Sequence, residues 1–301
     1  MNQLERFTRR LNLYQQKNHL LAFSYAVIKK YGEDGAGHQA ALLTYYGFLA
    51  LFPLLLVATT LTSAFLGRYP QLEATVIKSI TSYFPILGNQ LAIHIHGLGG
   101  SGFALFVGIL FTLYGARGVA SAFRDGVQKI WQIPRKDRDG FPKSLFNSLA
   151  LLIIGALGFI AASVIAGLTA AAGHGFLFRG MSIVINLIIL FGLFTFLLKF
   201  SLPRHITFAE TRVGAIVAAI GLVILQLLGG YILTRQLKSL DALYSYFAVT
   251  LGLLFWIYLQ AQMLFYSVEI SIVSSHKLWP RSIDTTSPTQ VDKQLNNKRD
   301  L

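Results

Sequence analysis

The chain has 301 residues, 54% of them hydrophobic and only 13% charged. An average soluble domain carries about 25% charged residues, so the composition counts against a soluble globular protein and against a disordered one. There are 26 Lys and Arg against 13 Asp and Glu, a net charge of +13, and no cysteine. The missing cysteine excludes disulfides, thiolate metal sites and Cys nucleophiles. A long apolar chain with sparse charge reads as a polytopic membrane protein.

In chain order, residues 1–39 form a polar to amphipathic arm with six basic residues. No apolar stretch follows the first Arg residues, so no cleaved signal peptide is expected. Residues 20–30 read as a helix lying on the membrane surface, with Leu21, Phe23, Ala26 and Val27 on its apolar side and Lys29 and Lys30 polar. Gly32, Asp34, Gly35 and Gly37 end it.

Six apolar stretches then have the length needed to cross a hydrocarbon core of about 30 Å. They are 40–65, 102–122, 145–171, 181–200, 213–233 and 246–274. Backbone groups cannot stay unpaired in lipid, so such runs are helices. Alternating segments of the kind a β-barrel uses are not found. The expected fold is therefore all-α, with six transmembrane helices over 40–274. Between the first two spans, Leu72, Val76, Ile80 and Phe84 recur every fourth residue. They predict a short outer-side amphipathic helix over 71–84, ended by Pro85, with a second over 86–95. The tail, 275–301, is rich in Thr, Ser, Pro, Gln and Asn and reads as a disordered cytoplasmic segment.

Basic residues set the orientation. The arm has six, and the connection after the second span has seven: Arg117, Arg124, Lys129, Arg135, Lys136, Arg138 and Lys143. Three more follow the fourth span and five lie in the tail, against five in the opposite loops. Both termini are thus expected in the cytoplasm, as an even number of spans requires. The same asymmetry accounts for the positive charge without nucleic acid. The tail mixes both signs, unlike a phosphate-binding arm.

Few motifs carry chemistry. Gly97 to Gly102 matches G-x-G-x-x-G, but it opens a span instead of following a strand, so it reads as a hinge and not a dinucleotide site. His94 and His96 have no third metal ligand nearby. There is no H-E-x-x-H, no Walker loop and no nucleophile–base pair, so neither an enzyme nor a cofactor is expected. Ionisable residues near span ends matter more, because charge in a bilayer is costly. Glu269 falls late in the sixth span, and Arg117 follows the second. One reading has them snorkel to the interface; the other has them face a cavity. Thr44, Tyr45, Tyr46, Asn186, Gln226, Gln260 and Gln262 are polar positions inside spans. They serve either interhelical hydrogen bonds or a groove for an amphiphile. Ala162, Ala166 and Ala170, and again Gly214 and Ala218, suit close helix packing. Pro53 removes a hydrogen bond within the first span and should kink it.

Four segments together resemble one family. They are Ala40-Ala41-Leu42-Leu43-Thr44-Tyr45-Tyr46 leading to Leu51-Phe52-Pro53-Leu54-Leu55-Leu56, and Leu113-Tyr114-Gly115 through Trp131-Gln132-Ile133-Pro134-Arg135. Leu202-Pro203 with Gly214-Ala215 follows, then Trp256-Ile257-Tyr258 closing on Glu269. In order and spacing the chain resembles the YihY/virulence factor BrkB family of inner-membrane proteins, nearest its YhjD-like branch, over 31–274. Many members carry Gly and a small residue before the final Glu, where this chain has Tyr266-Ser267-Val268. The family was formerly mislabelled ribonuclease BN, and the residues here give that label no support. The resemblance implies an envelope-associated membrane protein handling lipid or another amphiphile.

The expected function is to transport or flip a lipid or other amphiphile in the inner membrane, without nucleotide hydrolysis of its own. The contacts expected for it are Thr44, Tyr45, Tyr46, Pro53, Arg117 and Glu269. Arg117 would meet an anionic headgroup, since a guanidinium fork suits phosphate. The alternatives are an envelope-integrity scaffold that transports nothing and a small-solute exporter. The expected partners are membrane lipids, with an envelope protein or a second copy of the chain in the scaffold case, and no nucleic acid.

Overall fold

The computed structural model describes residues 11–66, 102–138, a broken run between 140 and 158, 176–236, 242–283 and 288–299. Every regular element among them is helical. The helices are α1 (His19–Glu33), α2 (Ala36–Leu66), α3 (Gly102–Ile130), α4 (Phe176–Ser201), α5 (Phe208–Gln236), α6 (Ala242–His276) and α7 (Gln290–Arg299). A 3₁₀ turn, Arg135–Asp137, follows α3, and a further short helical stretch covers 11–17.

Helix starts and stops follow local chemistry. The Asn18 side chain accepts from the Leu20 and Leu21 amides at 3.1 and 3.5 Å and so starts α1. Gly35, at φ +63°, makes the left-handed turn from α1 into α2. Thr207 and Glu210 open α5: Glu210 Oε2 accepts from the Thr207 amide at 2.6 Å and its hydroxyl at 2.8 Å.

The expectation of six transmembrane helices is corrected to three. Among the described residues, three helical stretches are long and apolar enough to cross a membrane: Ile183–Ser201, Phe208–Gln226 and Thr250–His276. They lie in α4, α5 and α6. The count covers described residues only. On α2, Ala40, Leu43, Thr44, Ala50 and Leu51 are buried while Leu42, Tyr45 and Leu49 are exposed, and the side chains after Leu51 are outside the described residues. The second half of α3 carries Arg117, Arg124, Asp125 and Lys129 into the polar end of the fold. The run over 145–171 falls largely outside the described residues; its described part includes a shorter apolar helix, Phe146–Gly155. An apolar run in sequence is equally a core helix or a lipid-facing one. With three spans among the described residues, the parity argument that put both termini on one side no longer applies. The outer-side helices expected over 71–84 and 86–95, the Gly97–Gly102 turn, and His94 and His96 lie outside the described residues.

Neighbouring helices run antiparallel and approach through glycines. On α3, a Cβ at Gly115 would sit 3.0 Å from Ala50, and one at Gly118 2.4 Å from the Tyr46 ring. On α5, a Cβ at Gly214 would sit 2.7 Å from the Ser267 carbonyl oxygen of α6, and one at Gly221 would meet Met263. This antiparallel order brings the start of α2, the ends of α3, α4 and α6 and the start of α5 to one end of the bundle. The core there includes Val127, Ile130, Leu198, Ala215, Phe265 and Val268.

Helix α1 closes this end. Ala26 and Val27 pack on Val273 of α6. The stretch after Arg281, expected to be without structure, returns onto α1 and carries α7. A reciprocal cap starts α7: Asp292 Oδ2 accepts from the Thr289 hydroxyl at 2.8 Å, and Thr289 Oγ1 accepts from the Asp292 amide at 3.2 Å. Composition described the polar surface of this segment but not its docking partner.

Candidate functional site

Helix α1 presents two charged faces. Lys29 and Glu33 lie on one, Lys30 and Asp34 on the other, because residues three and four apart share a helix face. The first face holds the returning tail. Arg281 is 1% exposed and grips Glu33 with two bonds, at 2.8 and 3.0 Å. Its Nε donates to Asp292 Oδ1 at 2.8 Å, and Lys29 Nζ reaches the same oxygen at 3.1 Å. Lys29 also donates to the Ser282 carbonyl at 2.7 Å, and Asn12 holds the Ser282 hydroxyl at 3.1 Å. Burial opposes the Asp292 anion. Hydrogen bonds from Ser282, Thr289, Lys29 and Arg281 outweigh it and hold the carboxyl below its ordinary value.

The second face points into the protein. Lys30, 1% exposed, donates to Glu269 Oε2 at 3.0 Å, to the Ile130 carbonyl at 2.9 Å and to Asp34. Glu269 is fully buried, and its second oxygen, Oε1, finds no hydrogen-bond partner among the described residues. Gln132, at φ +53° just past α3, reaches Asp34 Oδ1 at 3.4 Å. Three helices therefore meet at one buried ion cluster. Glu269 sits seven residues from the end of α6, roughly 10 Å into the helix.

From Glu269 a polar stripe runs along α6. Tyr258, Gln262, Tyr266 and Glu269 recur at four, four and three residues and share a face. Tyr31 of α1 stacks on Tyr266, with ring centroids 3.9 Å apart. The Tyr31 hydroxyl donates to Gln262 Oε1, and Gln262 Nε2 donates to the Tyr258 hydroxyl. Burial, then the neighbouring tyrosines, raise the Tyr31 phenol well above its ordinary value and keep it a donor. The stripe rises roughly 16 Å, about half the hydrocarbon thickness. All but Glu269 are partly exposed.

The residues singled out from sequence fall in different places. Glu269 is central, but its partner is Lys30. Arg117 is exposed on α3, and the structure does not bring it to Glu269. Thr44 is buried and donates to the Ala40 carbonyl at 2.7 Å, which satisfies it within α2. Tyr45 is exposed and meets Tyr46 edge-on at 5.3 Å, while Tyr46 packs on the core. Pro53 lies within α2, and its side chain is outside the described residues. Sequence reasoning missed Lys30, Asp34 and Tyr31. A signal was present: Lys30 follows Ala26 and Val27 by four and three residues, on the apolar face of α1, with Asp34 four further on. No group of three or more His, Asp or Glu side chains suited to a metal ion occurs among the described residues.

The comparisons with known proteins agree with this picture of a membrane protein. The chain is 24% identical to a UPF0761 membrane protein of Psychrobacter sp. (strain PRwf-1) over 283 residues, covering 85% of this chain and 49% of that one. It is 29% identical to a UPF0761 membrane protein of Alcanivorax borkumensis over 126 residues, covering 40% of this chain and 28% of that one. The chain thus spans at most about half the length of the curated relatives it matches. No solved structure matches it. The family model for virulence factor BrkB matches residues 27–289, from the middle of α1 to the cap of α7. The chain is a multi-pass membrane protein and belongs to the virulence factor BrkB family.

Proposed function

We propose that this protein moves a lipid or other amphiphile through the inner membrane, with no nucleotide hydrolysis of its own. The observation that carries this reading is the polar stripe of Tyr258, Gln262 and Tyr266 along a membrane-spanning helix, ending at Glu269. Polar groups within a span are costly unless they have a use, and this stripe is partly exposed. A headgroup travels along it while the acyl chains stay in lipid. Tyr45 and Tyr46 flank the route on α2. Exposed Arg117 gives an anionic headgroup its first contact. The segments carrying the two termini pack on each other through Asn12, Glu33, Arg281 and Asp292. Together with the basic residues of the arm and tail, this supports a cytoplasmic position for both. The order of the four segments described above supports the YhjD-like branch as its place within the family.

The test is lipid movement in proteoliposomes, read by quenching of a fluorescent phospholipid. Wild type moves the probe. Gln262→Leu combined with Tyr258→Phe removes the hydrogen-bonded chain and slows movement about tenfold, the equivalent of one lost hydrogen bond of roughly 1.4 kcal/mol in the barrier. Wild-type vesicles that move the probe no faster than protein-free vesicles refute the reading and favour a scaffold.

A further inference from the structure

We propose that Glu269, with Lys30 and Asp34, is a proton-binding site that couples movement of an anionic amphiphile to the proton gradient. The proposal rests on the lipid-moving reading above and supplies its energy source. The first argument is charge. One ammonium, Lys30, faces two carboxylates, Asp34 and Glu269, at 8% exposure or less. If all three are ionised, the cluster holds one negative charge in excess, and an unpaired buried charge is costly. The second argument is geometry. Lys30 occupies Glu269 Oε2, while Oε1 is fully buried without a donor among the described residues. The cluster therefore has room for one positive charge, at one oxygen.

A proton fits this vacancy and a metal ion does not. Hard cations need several oxygen ligands, whereas a carboxyl oxygen takes a proton alone. Other charged groups border the cluster. On α1, Glu33 adds repulsion and is held by Arg281. Tyr31 and Tyr266 stack on each other. From α3 come the Ile130 carbonyl and Lys129; Lys129 is exposed and lies, like His38 of α2, beside Gly35. On α5, Glu210 is bound to Thr207 and Arg212 is exposed.

Uptake is balanced simply. A proton from water forms the O–H bond at Glu269 Oε1, giving Lys30 ammonium, Asp34 carboxylate and neutral Glu269. Release returns the proton to water on the other side. A nearby negative charge raises the proton affinity of a carboxyl group. An anionic headgroup arriving at Tyr266 and Tyr31 therefore favours uptake, and headgroup and proton move together.

The experiment uses the full chain in vesicles holding a trapped pH dye, with fluorescent phosphatidylglycerol as probe. A gradient of about two pH units is imposed, which at one proton per lipid drives up to about a hundredfold asymmetry of the probe. Wild type shows gradient-driven asymmetry and proton entry that requires the probe; Glu269→Gln shows neither. Wild type that moves the probe equally with and without the pH gradient, or responds to a sodium gradient instead, overturns the coupling and leaves the lipid reading standing. If the probe does not move at all, the lipid reading fails and infrared titration of the purified protein decides the site. A protonated-carboxyl band that titrates in wild type and is absent from Glu269→Gln supports it; identical spectra overturn it. Glu269→Gln keeps the wild-type far-UV circular dichroism, so loss of the band is not misfolding.

Discussion

Replacing Lys30 by Met removes the ammonium held between Glu269 and Asp34 and keeps most of the side-chain stem. Breaking a buried pair by removing one partner costs about 3–5 kcal/mol, because the other charge stays buried. Here two carboxylates stay behind. The Ile130 carbonyl at the end of α3 also loses its 2.9 Å bond, which adds about 1 kcal/mol. Lys30→Met should therefore lose about 4–6 kcal/mol. Adding Glu269→Met removes the stranded carboxylate as well. Apolar replacement of a whole buried pair is often neutral or stabilising, so the double variant should return to within about 2 kcal/mol of wild type. The remainder reflects Asp34 and Ile130. The assay is equilibrium unfolding in mixed micelles with rising dodecyl sulfate, followed by far-UV circular dichroism. If the double variant is as unstable as the two single losses added together, the pair is not an energetic unit and the reasoning fails.

The other expectations test separate parts of the fold. The Asp292 carboxyl lies below its ordinary 3.8 in the folded protein, so its contribution is complete above that value and is lost as pH falls through the folded one. Amide exchange over 288–299 should thus stay slow at neutral pH and quicken only in strong acid, whereas Asp292→Asn quickens it at pH 7. Gly214→Ala places a Cβ 2.7 Å from the Ser267 carbonyl oxygen, a backbone atom that cannot swing away. It should cost about 1–3 kcal/mol in the same unfolding assay. Gly32→Ala, where nothing lies within 4 Å, should not destabilise. Arg117→Ala should slow lipid movement while leaving stability within about 0.5 kcal/mol, as suits an exposed residue. A large loss of stability there would show that Arg117 is structural.

Much of the site could be read in the sequence once each residue is placed on its helix. Glu269 stands out because a carboxylate late in an apolar run has to be explained. Gly214 and Ala218 announce a close helix contact, and α5 meets α6 there. That Arg117 and Glu269 face different ways was not legible, because sequence distance along two helices says nothing about which faces meet. Arg117 points outward on α3, while Glu269 points toward α1. Reading Lys30 as surface charge failed for a related reason. Lysine is usually solvated, so its place on the apolar face of α1 was outweighed by residue type.

Local rules carried the rest of the sequence reading. Composition identifies a membrane protein because 13% charge cannot cover a soluble surface of this size. Apolar length identifies helices because unpaired backbone groups are not tolerated in lipid. Caps, glycine turns and the period of 3.6 are also local, and they place α1 and the polar face of α6. The tertiary structure decided what depends on contacts between distant segments. Among the described residues it showed three apolar helical stretches suited to spanning the membrane. It brought the polar tail back onto Glu33 through Arg281, a contact 248 residues apart in the chain. It also set Lys30 against Glu269, 239 residues away, where both side chains are buried. Charge pairing across such distances depends on which helix faces meet, and packing alone determines that.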